Sequence, residues 1–106
     1  MPGFYARFAD PVPASVLTLD YLDREAQLRS LAGDQRAVRS SVRALATTWP
    51  GVRRRVLAVG GLGEARAFDA HVGAMKRLVR SSDHKALQRE AVNGLNLVDT
   101  LESLFA

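Results

Sequence analysis

The chain contains no cysteine, which removes a disulfide framework, a thiolate metal site and a cysteine nucleophile together. Long apolar runs are missing too. The longest uncharged apolar stretch, Val56 to Gly63, falls far short of the roughly 20 residues that cross a bilayer, so no membrane insertion is expected. The opening residues, MPGFYARFADPVPAS, have no continuous apolar core and do not make an intact secretory signal. Cytoplasmic placement is the default expectation, and an extracytoplasmic one follows if a leader has been removed.

Signatures of catalysis are equally scarce. No Walker lysine follows a glycine-rich loop, no GxGxxG is present, and the Glu-x-x-His of di-iron bundles does not occur. The serines lie outside any nucleophile elbow, and the two histidines offer no paired base with an orienting acid. No enzymatic activity and no cofactor are expected.

What is present is an ordinary globular balance. With 47% hydrophobic and 25% charged residues over 106 positions, the chain can bury one modest core as a single domain. Its +4 net charge is carried almost wholly by arginine, thirteen of the fifteen basic residues. That excess admits an acidic or phosphate-bearing partner without requiring one. The arginine- and alanine-rich idiom is that of a high-GC bacterial genome.

Pro2, Pro11 and Pro13 break periodicity near the start, so residues 1–15 read as an extended arm. Residues 16–106 read as a helical bundle. Helix A is predicted from about Thr18 to Ala32, capped by Thr18, with Leu17, Tyr21, Leu28 and Leu31 as its core stripe and Leu22 and Ala26 widening it. Gly33 punctuates its end. Helix B, capped by Asp34, repeats Val38, Val42, Leu45, Trp49, Val52, Val56 and Val59 at alternating steps of four and three. Pro50 interrupts it, which predicts a kinked helix or a break into two.

Gly60, Gly61 and Gly63 make the next turn. Helix C, about Glu64 to Ser81, places Ala65, Phe68, Val72, Met75 and Val79 on one face. Helix D follows Asp83 with Leu87, Ala91, Gly94, Val98, Leu101 and Phe105. Short links make consecutive helices antiparallel neighbours. The expected fold is therefore all-α, an antiparallel up-down-up-down four-helix bundle with an extended N-terminal arm and a second helix kinked at Pro50.

Few residues stand out as functional. His71 and Met75, four apart on helix C, could reach one metal or haem iron from a single helix. The commoner outcome for such a pair is a boundary histidine beside a core methionine. Trp49 beside Pro50 marks a candidate pocket, although a tryptophan there more often plugs the core. Arg36, Arg43 and Arg54 share the outer face of helix B, and Arg53, Arg54 and Arg55 form a basic knot, so these five are candidate contacts to an acidic partner or anion. From Glu90 onward there are three acids and no basic residue. The function expected is a non-enzymatic bundle acting through protein contacts, as a homodimer or accessory domain. A metal- or ligand-binding bundle and a weak nucleic-acid binder are the alternatives.

Overall fold

The computed structural model describes residues 13–105. They form four α-helices: α1 (Ala14–Leu31), α2 (Gln35–Ala58), α3 (Leu62–Ser81) and α4 (His84–Phe105). No strand occurs among the described residues. Residues 1–12, most of the expected arm, lie outside the described residues, while Ala14 and Ser15 already belong to α1. Helix α1 thus starts at Ala14, with Pro13 rather than Thr18 at the N-cap, and the Thr18 hydroxyl instead donates to the Ala14 carbonyl at 3.1 Å. Proline suits a helix start, where its missing N–H has no partner to lose.

The turns follow from local chemistry. Gly33 takes a left-handed conformation (φ +74°) at the end of α1, a geometry that favours glycine because it has no Cβ. The Gly33 N–H then donates to Ser30 O and the Asp34 N–H to Arg29 O, at 3.1 and 3.0 Å, which satisfies two orphan carbonyls. Asp34 serves the next helix as well, accepting from the Ala37 N–H at 3.1 Å. The end of α2 repeats the pattern at Gly60, and Asp83 caps α4 through the Ala86 N–H at 3.0 Å.

Packing runs α1 to α2, α2 to α3, α3 to α4 and α4 back to α1, so the four helices enclose one core. The stripes foreseen for α2, α3 and α4 are the buried faces, from Val38 to Val56, Ala65 to Val79 and Leu87 to Leu101. Phe68, Leu19, Leu45, Met75 and Leu101 are the largest apolar side chains with no exposure to speak of, and burying each contributes about 1.5–3 kcal/mol. Val59 departs from the expectation: it caps α2 and is exposed.

Helix α2 runs unbroken through Pro50, so the expected alternative of two shorter helices does not hold. The proline ring faces solvent and still deprives the Ala46 carbonyl of its helical donor. Pro50→Ala should therefore stabilise the protein by about 2 kcal/mol, the interior-proline cost less the extra freedom of the unfolded chain. Urea denaturation would check this, and a loss of stability would contradict it.

Helix α1 requires the main correction. Leu17, Tyr21, Leu28 and Leu31, expected in the core, are 51%, 57%, 58% and 62% exposed. The buried side holds Val16, Leu19, Asp23, Ala26 and Ser30, with Leu22 packed against it, so only Ala26 and Leu22 of the expected stripe face the core. At 100° per residue these two sets lie on opposite faces of one helix.

Candidate functional site

Of the residues singled out by sequence, His71 and Met75 both project into the core, and each is essentially without exposure. Met75 packs among apolar neighbours. His71 does not stand at a boundary. It reaches from α3 to Asp23 of α1, with Nε2 2.8 Å from Asp23 Oδ1, while Nδ1 lies 2.7 Å from Glu90 Oε2 of α4. Both ring nitrogens are thereby engaged, and no group of three or more histidine, aspartate or glutamate side chains suited to a metal occurs among the described residues.

This cluster needs a proton that the isolated groups would not hold. A neutral imidazole has one N–H and one lone pair. Set between two ionised carboxylates, its lone pair would face an oxygen. Either the ring is doubly protonated or one carboxyl keeps its proton. The titration tendencies agree. Burial disfavours a charged His71, but hydrogen bonds and charges from Asp23 and Glu90 outweigh it and move its pKa above the ordinary value. Burial raises Asp23, and His71 offsets this only in part. Asp23 Oδ2 is buried with no partner, consistent with a carboxyl under pressure to stay protonated.

Gly94 makes the cluster sterically possible. A Cβ on this residue of α4 would overlap Nε2 of His71 and stand 2.5 Å from Asp23 Oδ2. Three helices thus meet through the two polar contacts of one histidine. Asp23, His71 and Glu90 together form a polar clamp across α1, α3 and α4. His71 stood out in the sequence, and Gly94 was placed on the inward stripe of helix D. Asp23 and Glu90 were missed because nothing in their spacing distinguishes them from surface acids.

Trp49 is buried in the core. Its ring lies 4.5 Å from that of Phe68, and its indole N–H donates to Asp69 Oδ1 at 2.6 Å. Asp69 also accepts from Arg53 Nε at 3.0 Å, and Arg53 and Trp49 hold its carboxyl below the ordinary value although burial works the other way. The five candidate arginines are consequently dispersed. Arg53 is paired, Arg36 borders a shallow depression shared with Asp34, and Arg54 and Arg55 are exposed. Arg43 alone lines a depression between α2 and α3 of about 440 Å³.

The most distinctive surface is the outer face of α1. Leu17, Tyr21, Arg24, Leu28 and Leu31 succeed one another at steps of four, three, four and three, within an arc of about 80°. Asp20 and Gln27 border one side, Thr18 and Glu25 the other. The central guanidinium of Arg24 pairs with Asp20 at 3.2 Å, so the stripe carries little net charge. None of the helices is long and apolar enough to cross a membrane, so a bilayer span does not account for the stripe. No family model, curated protein or solved structure matches this chain.

Proposed function

We propose that this protein is a non-enzymatic interaction module that acts as a homodimer, with the outer face of α1 as its contact surface. The observation that carries this reading is the exposed four-residue apolar stripe. Exposed leucines occurring singly need no explanation, but a contiguous stripe with a polar rim marks a contact site.

The bundle behind it is read as antiparallel, up-down-up-down. The end of α1 touches the start of α4 through Ser30 and His84, and the start of α2 touches the end of α3 through Gln35 and Val79. A second copy is the favoured occupant because the stripe is self-complementary. Leu17 and Leu31 each lie seven residues from Arg24, about 10 Å along the axis, with Tyr21 and Leu28 between. Two such helices, antiparallel about a twofold axis at Arg24, would set Leu17 against Leu31 and Tyr21 against Leu28. Each Arg24 would lie near acidic rims of both chains. A twofold contact of this kind closes on itself and leaves no unmatched copy of the patch.

Because the chain has no cysteine, single-cysteine spin labels can test the register. Labels at position 24 should give the shortest distance between subunits, growing symmetrically toward positions 17 and 31. A distance that stays constant along the helix would indicate parallel pairing, and the absence of dipolar coupling would refute the dimer.

A further inference from the structure

We infer that the groove between α2 and α3 is a second docking surface, whose partner is an acidic amphipathic helix of another protein. The groove shares no residue with the outer face of α1. Its rim carries Arg39 and Arg43 from α2 and Lys76 and Arg80 from α3. No acidic side chain lines it, and none of these four cations forms an ion pair among the described residues. Elsewhere the chain does pair its arginines, as with Arg24, Arg29 and Arg53. The floor is apolar and small, made by Val42, Ala46 and Val79.

Charge complementarity and shape together define the occupant. Each rim presents two cations four residues apart, about 6 Å along a helix axis. Glutamates four residues apart on a partner helix repeat at that same spacing. The small floor lets a narrow apolar seam approach closely, as in helix-in-groove recognition. A nucleic acid would match the charge, but no aromatic side chain borders the groove to stack a base. The α1 stripe of another copy is a poor occupant, because Arg24 stands at its centre.

Fluorescence anisotropy on the full chain provides the test. Three probes are compared: a labelled helical peptide with an alanine–valine seam flanked by glutamates four residues apart, a shuffled peptide of the same composition, and an oligo-dT strand. The patterned peptide should bind at least about tenfold tighter than the other two at both about 50 and about 200 mM salt. The double variant Arg43→Glu with Lys76→Glu should lose at least about tenfold in affinity. The charge-matched Arg54→Glu with Arg55→Glu should lose much less, with far-ultraviolet circular dichroism unchanged in both. Leu28→Glu, which strikes only the α1 face, should leave peptide binding intact, so the two surfaces fail or stand separately. Equal binding of the shuffled peptide would reduce the groove to a diffuse field and overturn the inference. Tighter binding of oligo-dT would make it a nucleic-acid groove, and no binding at low salt would also overturn it.

Discussion

Asp23→Ala is expected to destabilise the protein by about 3 kcal/mol or more at neutral pH, and to weaken the pH dependence of its stability. The side chain is fully buried and its Oδ1 lies 2.8 Å from His71 Nε2. Removing one partner of a buried charged contact typically costs about 3–5 kcal/mol, since the other is left unpaired and out of water. Against a total stability of about 5–15 kcal/mol for such a domain, that loss is large.

The sign of the pH effect follows from the raised pKa values. His71 and Asp23 both hold their protons to higher pH in the folded protein than in the unfolded chain. Stability from His71 is fully present below the unfolded histidine value, near pH 6.5, and is lost as pH rises through the higher folded value. Asp23 acts in the same direction from about pH 4 upward. Asp69, whose pKa is lowered, acts oppositely and loses its contribution as pH falls below about 4. Thermal unfolding should therefore show the wild-type melting temperature falling as pH rises from about 6.5. Asp23→Ala should melt lower throughout with a shallower slope. A variant within about 1 kcal/mol of wild type and with an unchanged slope would contradict the clamp.

Gly94→Ala should behave against the usual rule for helices. In an ordinary helix interior this change gains about 1 kcal/mol, because alanine is the better helix former. Here the new methyl group would fall on His71 and stand 2.5 Å from Asp23 Oδ2, neither of which can withdraw toward solvent. Overpacking a closed core typically costs about 1–3 kcal/mol, and displacing a hydrogen-bonded cluster adds to it. A net loss of about 2 kcal/mol or more is expected by urea denaturation. In the Asp23→Ala background, Gly94→Ala should cost less, because one of the two residues it collides with has been cut back and the His71 ring gains room to shift. Neutral or stabilising behaviour in wild type would contradict the close approach at Gly94.

Three of the four helices were legible because large apolar residues mark their buried faces. In α2, α3 and α4 the strongest sequence stripe and the core coincide, from Val38 through Leu101. Helix α1 failed for a physical reason. Its core face is built from Val16, Leu19, Ala26 and two buried polar residues, Asp23 and Ser30, whereas its largest side chains point outward. A search for the most apolar stripe selects Leu17, Tyr21, Leu28 and Leu31, the wrong face for burial.

One of these buried polar residues, Asp23, belongs to the candidate clamp. Nothing in the sequence sets Asp23 apart from a surface acid, and only the fold reveals that it meets His71 across the bundle. His71 was conspicuous as the histidine on an apolar face, although its partners were not. The α2/α3 groove was half legible. Arg43 was singled out, but Lys76 and Arg80 join it only through the packing of α2 on α3.

Sedimentation equilibrium of the full chain, compared with Leu28→Glu, tests the central claim most directly. The wild type should sediment at twice the 11.5 kDa chain mass at high concentration and dissociate on dilution. Leu28→Glu places a carboxylate twice in a twofold contact, and should weaken the dimer at least tenfold, about 1.4 kcal/mol. Its far-ultraviolet circular dichroism should be unchanged, since Leu28 is exposed within one chain. A wild-type chain that remains at 11.5 kDa at every concentration, or a Leu28→Glu variant that dimerises as tightly as wild type, would contradict the assignment of the α1 outer face as the contact surface.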